Sequence, residues 1–200
     1  MKKYGYIKWA FIFLFSVMFL LPFFTAEGYS IIKHTTSELG AQNTPNSWIM
    51  NLAFFAMGFA CIIEAIIYLK GYLIQKIILI IFGVALIAAG VFSHMPIDRS
   101  IDFSLNEDYY HSIASSLTGF SFTIFTIAAA FIEFPKRRSI IAILVGLIVV
   151  GLSLLMIFIP EYSGVWQRLI FTISFVWMIY FFRRFEKNKR NYFYANYNNK

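Results

Sequence analysis

Residues 139–159 read SIIAILVGLIVVGLSLLMIFI, a segment without a single charged side chain. An α-helix rises about 1.5 Å per residue, so about 20 apolar residues span the hydrocarbon core of a bilayer. A basic run, residues 136–138, precedes the segment, and Pro160 follows it. Proline ends a helix at little cost because its nitrogen carries no hydrogen. The pattern therefore predicts a transmembrane helix.

Five further apolar segments of similar length accompany this one. Together they predict six transmembrane helices at residues 7–24, 48–69, 73–92, 110–133, 139–159 and 164–182. Pro45, Pro96, Pro135 and Pro160 fall in the gaps, and Pro22 falls in the last turn of the first helix. We interpret the first segment as an uncleaved helix. Phe-Thr-Ala at residues 24–26 is a poor signal-peptidase site, because a bulky phenylalanine stands at position −3.

The composition is that of a membrane protein with an all-α fold. Of the 200 residues, 60% are apolar and 14% are charged, whereas a soluble domain carries about 25% charged residues. The length fits one six-helix transmembrane domain at residues 1–182, followed by a basic tail at residues 183–200. The chain has one cysteine, Cys61, which lies in an apolar run. Because there is only one, an intrachain disulfide and a cysteine-based metal site are excluded.

The placement of the basic residues predicts the orientation. Fourteen of the 17 lysines and arginines fall on one side of the predicted membrane, and the other side holds Lys33, Arg99 and Arg168. Since basic residues concentrate in short cytoplasmic loops, both termini are predicted to be cytoplasmic. The net charge of +7 then serves to set topology and to attract anionic lipids of the inner leaflet, and it does not indicate nucleic acid.

Small residues predict where helices approach each other closely, because tight packing replaces the hydrophobic effect between helices in lipid. On the fourth helix they recur at steps of three and four, which places them on one stripe: Ser112, Ser116, Gly119, Thr123, Thr126 and Ala130. We expect this stripe to face the bundle. Gly83 and Gly90 on the third helix, and Ala142 and Gly146 on the fifth, predict further close contacts.

Polar residues gather at the predicted outer face, in long loops at residues 25–47 and 93–109. Arg168 lies only four residues into an apolar helix, where an arginine is either paired or reaches water. Asp98 and Glu161 are its expected partners. The site predicted from these residues, here called the outer cluster, consists of Ser37, Glu38, Asp98, His111, Gln167 and Arg168.

Three interpretations of the outer cluster stay open. In the first, Asp98, His111 and Arg168 pair with one another and tie the loops over the bundle. In the second, the same residues bind a small ligand or a lipid headgroup. In the third, histidine and carboxylate bind zinc or transfer protons. Because the chain has no HExxH motif and no tight ligand spacing, we predict no metal and no cofactor.

The outer cluster also carries a resemblance to a known family. The segments involved stand in order along six predicted helices: Ser37-Glu38-Leu39-Gly40-Ala41 with Pro45 and Asn51, Gly90-Val91-Phe92 with Met95-Pro96-Ile97-Asp98, His111, and Trp166-Gln167-Arg168. In these segments the chain resembles a family of bacterial membrane proteins catalogued as domain of unknown function 998. One departure is that residues 93–95, Ser-His-Met, separate the glycine and phenylalanine from Pro-x-Asp. The resemblance implies a six-helix fold in a bacterial cell membrane and an outer polar site, and it implies no activity.

Three functions are compatible with the sequence. The first is a binding, sensing or accessory protein for a lipid or small ligand at the outer face. The second is a membrane-embedded hydrolase or lipid-modifying enzyme, with His111 as general base and Asp98 as its orienting partner or with both on a metal. No recognisable catalytic constellation supports this second function, so enzymatic activity stays an open question. The third is a small transporter, which the absence of mid-membrane charge disfavours.

The predicted topology is open to a labelling test. Cysteines introduced at Ser104 and Asn188 are expected to react with a membrane-impermeant thiol reagent from opposite sides, because the first lies in an outer loop and the second in the cytoplasmic tail. The measurement is labelling of intact cells against inverted membrane vesicles. Labelling of both positions from the same side would refute the predicted orientation.

Overall fold

The computed structural model describes the backbone of residues 5–197 and the side chains of residues 5–184. Lys2, Lys3 and the side chains of the predicted tail beyond Arg184 lie outside these described residues. Within the described range the chain is all-α, with seven α-helices and two short 3₁₀ turns, Leu21–Phe24 and Pro160–Tyr162. The helices are α1 (Tyr6–Leu20), α2 (Thr36–Leu39), α3 (Ser47–Tyr68), α4 (Leu73–Val91), α5 (Leu105–Ala130), α6 (Lys136–Phe158) and α7 (Ser163–Tyr197).

Six segments are long and apolar enough to cross a membrane, which confirms the predicted six-helix fold. These candidate spans are Tyr6–Phe24, Ser47–Tyr68, Leu73–Val91, Leu105–Ala130, Lys136–Phe158 and Pro160–Arg184. The two largest differences from the predicted boundaries are at the start of α5 and the end of α7. Helix α5 begins at Leu105, because the Ser104 hydroxyl accepts a hydrogen bond from the Glu107 N–H at 3.4 Å and caps the helix. Helix α7 continues past residue 182 to Tyr197.

The long helices pack in chain order, each against its neighbours: α1 on α3, α3 on α4, α4 on α5, α5 on α6, and α6 on α7, which also contacts α1. Because the chain crosses the bundle back and forth, its connections gather at two ends. The long-loop end comprises residues 21–46, 92–104 and 159–162. The basic end comprises residues 69–72 and 131–135 together with the adjoining helix ends.

Aromatic side chains of α7 fill the centre of the bundle. The Phe175 ring lies 5.8 Å from that of Phe11 on α1 and 6.1 Å from that of Phe82 on α4. Two residues further along the chain, the Trp177 ring meets Phe122 of α5 edge-on at 5.9 Å. Edge-on and tilted ring pairs of this kind are favoured over flat sandwiches. A single helix thus joins α1, α4 and α5 through its large side chains.

Glycines bring α3 and α4 into backbone contact. A Cβ atom at Gly58 would lie 2.5 Å from the Gly83 carbonyl oxygen, and one at Gly83 would lie 2.7 Å from the Gly58 carbonyl oxygen. A Cβ at Gly90 would lie 3.0 Å from the carbonyl oxygen of Asn51. The close contacts predicted at Gly83 and Gly90 are therefore confirmed. Gly146 of α6 likewise leaves no room for a side chain beside Thr126 of α5.

The predicted small-residue stripe of α5 is wrong for its half nearer the long-loop end. Thr126 is buried, whereas Ser112, Ser116 and Gly119 are exposed. The reason is that the buried residues of α6 are 142, 145, 146 and 149, so its last nine residues, toward the long-loop end, bury none. Further along, a Cβ at Gly119 would have no atom within 4 Å.

Buried polar side chains tie helix ends together at the basic end. The Glu64 carboxylate accepts a hydrogen bond from the Ile7 N–H at 3.0 Å, at the N-terminus of α1. A carboxylate is stabilising there because the helix dipole leaves positive charge at that end. Arg184 pairs with Glu133 at 2.6 Å and joins α7 to the end of α5.

The glycine contact between α3 and α4 predicts the effect of adding one methyl group. Gly58→Ala is expected to lower the free energy of unfolding by about 1–3 kcal/mol, because the new Cβ overlaps backbone that cannot move aside. The matched control is Gly119→Ala, which meets no neighbour and is expected to be neutral or to stabilise by up to about 1 kcal/mol through helix propensity. Thermal unfolding in detergent measures both. Equal losses in the two variants would contradict the proposed role of the contact.

Candidate functional site

Arg168 is the most highly hydrogen-bonded side chain at the long-loop end, and only 4% of its surface is exposed. It donates five hydrogen bonds to backbone carbonyls: from Nε and Nη2 to Met18 (both 3.3 Å), and from Nη1 to Ile31 (3.0 Å), His34 (3.1 Å) and Gly164 (2.9 Å). A sixth bond runs from Nη2 to the Tyr29 hydroxyl at 2.8 Å. These contacts join α7 to the end of α1 and to the first long loop.

The expected pairing of Arg168 with Asp98 or Glu161 is wrong. Among the residues whose side chains the structure describes, no carboxylate lies within ion-pair distance of Arg168. Carbonyl dipoles and one tyrosine hydroxyl surround its charge instead. All the N–H groups of a guanidinium are donors, so oxygen atoms of the backbone can satisfy it without an acid.

Pro22 explains why the Met18 carbonyl is free to accept from Arg168. In an α-helix that carbonyl would accept the N–H four residues later, but residue 22 is a proline and has no N–H. After Leu20 the chain tightens into the 3₁₀ turn Leu21–Phe24. This carbonyl, which lacks a helical donor, lies at the C-terminal, negative end of the α1 dipole, where a cation is stabilised.

Residues 31–34 present four consecutive carbonyls to the start of α7. Two accept from Arg168, at positions 31 and 34. The other two accept from backbone N–H groups that the helix itself leaves without partners: Ile32 from Val165 at 3.3 Å and Lys33 from Gly164 at 3.2 Å. A Cβ atom at Gly164 would overlap the carbonyl oxygens at positions 31 and 34. Glycine is therefore required here for the loop to approach α7.

The remaining residues of the outer cluster near Arg168 form helix caps. The Gln167 side-chain oxygen accepts from both the N–H and the hydroxyl of Thr36, each at 2.6 Å, at the start of α2. Thr35 and Glu38 form a capping box, in which each side chain accepts from the backbone N–H of the other residue. Ser37 is buried within the same short helix. Their hydrogen bonds hold the loop in shape.

Tyr29 connects Arg168 to the same loop. Burial raises the pKa of the Tyr29 hydroxyl to about 12, although the nearby Arg168 charge acts in the opposite direction. The hydroxyl therefore stays protonated at neutral pH. Its proton is shared between the carbonyls of His34 at 3.1 Å and Thr35 at 2.8 Å, while its oxygen accepts from Arg168.

His111 is buried on α5 and acts as a second cap. Its Nδ1 lies 2.9 Å from the Ala89 carbonyl oxygen and 2.8 Å from that of Phe92, at the end of α4. Carbonyls only accept, so Nδ1 carries the proton, and Nε2 is left to accept from the Ser115 hydroxyl at 3.1 Å. Both ring nitrogens are thus engaged within the bundle.

The predicted Asp98–His111 pair is not formed. Asp98 is exposed, and its carboxylate accepts from the N–H and hydroxyl of Ser100, which lower its pKa. Asp108, one helical turn before His111, bonds to the second long loop and not to the His111 ring. Its carboxylate accepts from the Met95 N–H at 2.8 Å and lies 3.8 Å from His94 Nδ1. Residues 5–184 contain no group of three histidine, cysteine, aspartate or glutamate side chains suited to a metal ion.

A cleft of about 590 Å³ lies beside the outer cluster at the long-loop end. It is lined by Ala41, Gln42, Asn43, Ser47, Ser93, Asp102, Phe103, Ser104 and Glu107. Gln42 holds its walls together, because its amide donates to the carbonyls of Ser93 and Ser104 at 3.0 Å and accepts from the Ser104 N–H at 2.7 Å. Asn43 adds a bond to the Asp102 carbonyl at 2.7 Å.

Sequence reasoning placed Asp102, Glu107 and Gln42 in the long loops but did not single them out as site residues. Their spacing follows no helix or strand period, and the cleft arises only where the two loops meet. One usable signal was the Asn43 and Asn46 pair, since asparagine tolerates the positive φ that both residues adopt, 53° and 60°. These angles mark a tightly folded loop and do not identify a ligand.

Comparison with known proteins yields a family. A family model described as protein of unknown function (DUF998) matches residues 10–184, which include every residue of the outer cluster and of the cleft. Neither the curated proteins nor the solved structures give a match.

The geometry of Arg168 predicts that its forked shape matters as well as its charge. Arg168→Lys is expected to lower stability substantially, at about 1–3 kcal/mol for each buried carbonyl left without a donor. Arg99→Lys, on an exposed arginine at the same end, is the matched control and is expected to leave stability unchanged. Thermal unfolding in detergent compares the two. An Arg168→Lys variant as stable as the wild type would contradict the assignment.

Proposed function

We propose, from the premise that the chain belongs to the DUF998 family of proteins of unknown function, that it is a membrane-embedded binding or sensing protein whose ligand site is the cleft at the long-loop end. The proposal rests on a difference between two groups of polar residues at this end. The outer cluster residues Arg168, Gln167, Glu38 and His111 use their hydrogen-bonding groups on the protein itself. The lining of the neighbouring cleft instead includes the exposed residues Asp102 and Glu107.

The cleft has features that favour recognition of a small ligand. Its volume lies within the range of small-molecule sites, about 300–1,000 Å³. Its two walls come from different loops and are fixed to each other by the side chains of Gln42 and Asn43. Walls held in place before binding lose little conformational entropy when a ligand arrives, which supports affinity.

The charge of the cleft favours a donor-rich or cationic ligand. Its described lining includes the carboxylates of Asp102 and Glu107 and contains no lysine or arginine. The two amide hydrogens of Gln42 are already directed at backbone carbonyls. A small amine or the ammonium group of a lipid headgroup is therefore the proposed ligand class.

The proposal includes an orientation in the cell membrane, with both termini cytoplasmic and the long-loop end outside. The basic end carries the exposed side chains of Lys70, Lys136, Arg137 and Arg183 beside the spanning helices. Such residues attract the anionic headgroups of a cytoplasmic leaflet by about 1 kcal/mol each. Anionic lipids are the proposed partners at this end.

The geometry favours binding over the alternative of a hydrolase that uses His111 and Asp98. The His111 ring is buried with both nitrogens engaged, and Asp98 faces solvent beside Ser100. The transport alternative gains no support either. The two buried charged residues of the described bundle, Glu64 and Arg168, lie near opposite ends and bond to backbone groups.

Thermal-shift measurements on the purified protein test the proposed ligand class. Ethanolamine, a headgroup amine, is expected to raise the melting temperature, because a ligand at 100 times its Kd stabilises by about 2.7 kcal/mol. Succinate, an anion of similar size, is expected to leave it unchanged. The double variant Asp102→Asn with Glu107→Gln is expected to abolish the ethanolamine shift.

A charge-matched control distinguishes binding in the cleft from a general effect of negative charge at the long-loop end. Asp98→Asn with Glu161→Gln removes two exposed carboxylates outside the cleft lining and is expected to retain the shift. Loss of the shift in both double variants, or a wild type that no amine stabilises, would overturn the proposal.

A further inference from the structure

The turn at residues 30–34 is closed by a histidine side chain. The His34 Nδ1 accepts a hydrogen bond from the Ser30 N–H at 2.9 Å, and the His34 N–H donates to the Ser30 carbonyl at 2.8 Å. A weaker bond of 3.4 Å runs from the Lys33 N–H to the Ser30 hydroxyl. The His34 ring also lies 5.4 Å from the Tyr29 ring. Two opposed bonds between residues 30 and 34 thus hold the turn.

The donor in the first of these bonds decides the protonation state of the ring. A backbone N–H can only donate, so His34 Nδ1 must be the unprotonated nitrogen, and the imidazole is neutral with its proton on Nε2. Adding a second proton places N–H against N–H and converts the bond into a repulsion. Histidine is the side chain that ordinarily gains this proton between about pH 8 and pH 5.

The carbonyls of this turn connect the first long loop to α7. Those of residues 31–34 accept from Arg168 and from the first N–H groups of α7. If the turn opens, the buried guanidinium loses acceptors and the start of α7 loses its cap. His34 is half-buried, so solvent protons reach the ring without unfolding of the bundle.

We infer that His34 is an acid-sensitive latch, which holds the first long loop on α7 while its ring is neutral and releases the loop when Nδ1 is protonated. The inference does not depend on the cleft being a ligand site. Its sign follows from the geometry: the closed turn requires the neutral ring, so the loop is held while the ring is neutral and is freed when a fall in pH protonates it.

Among the charged and titratable groups on the elements packed against this loop, the cations oppose a second positive charge and the Glu38 carboxylate favours it. On the loop itself they are Tyr29, which is neutral at these pH values, and the Lys33 cation. Helix α2 contributes Glu38, which is engaged in its capping box. Helix α7 contributes Arg168, whose charge opposes a second cation nearby, and α1 contributes the uncharged Met18 carbonyl.

Hydrogen exchange of the full chain in detergent tests the latch, with exchange times corrected for the intrinsic pH dependence of amide exchange. In the wild type, amides of residues 29–35 are expected to exchange about tenfold faster at pH 5 than at pH 7.5 after correction, which corresponds to loss of about 1.4 kcal/mol of local protection. The connection at residues 69–72, which contains no histidine and no carboxylate side chain, is the internal reference.

Two substitutions separate titration from structure. Asparagine places its Oδ1 near the position of Nδ1 and does not titrate, so His34→Asn is expected to stay protected at both pH values. Alanine provides no acceptor, so His34→Ala is expected to exchange fast at both, even if the asparagine variant folds poorly. A wild type without acid-dependent exchange in residues 29–35, or an alanine variant that still shows it, would overturn the inference.

Discussion

The long-loop end is organised around one physical requirement: a guanidinium taken out of water must have its N–H groups satisfied. Arg168 meets this requirement with backbone carbonyls from three parts of the chain. Two local features around Arg168 make these bonds possible. Pro22 leaves the Met18 carbonyl without its helical donor, and Gly164 lets the loop carbonyls approach α7. A buried cation held in this way is costly to disturb, because every partner it loses also becomes a buried unsatisfied acceptor.

This arrangement separates, within one loop, the residues that bond to α7 from those that line the cleft. Residues 29–38 bond to α7 and to each other, whereas residues 41–47 of the same connection form one wall of the cleft. The second wall comes from residues 93–107, which Gln42 fastens to the first. The residues that bond to α7 and those that line the cleft are thus connected through the loop itself and not through the membrane-spanning core.

The core itself follows the different rules of packing in lipid. Contact between α3 and α4 depends on glycines that let backbones touch, and α7 supplies aromatic rings that reach α1, α4 and α5. Between α5 and α6 a glycine also permits close contact near the basic end, at Gly146 and Thr126. This contact does not extend to the long-loop half, where the small residues of α5 are exposed. Small residues permit a close approach but do not enforce one, since a neighbouring helix must also be inclined to meet them.

The sequence by itself determined the helical class, the six spans and the division of charge between the two ends, because hydropathy and charge are properties of local segments that a bilayer sorts directly. It also located the polar end and Arg168. Tertiary structure alone decided what Arg168 binds, since its acceptors are carbonyls that every residue carries and no side-chain pattern marks. The same holds for the contact of Asp108 with Met95 and His94, which depended on α5 beginning at Leu105, and for the cleft, whose walls meet only when two loops distant in sequence are brought together.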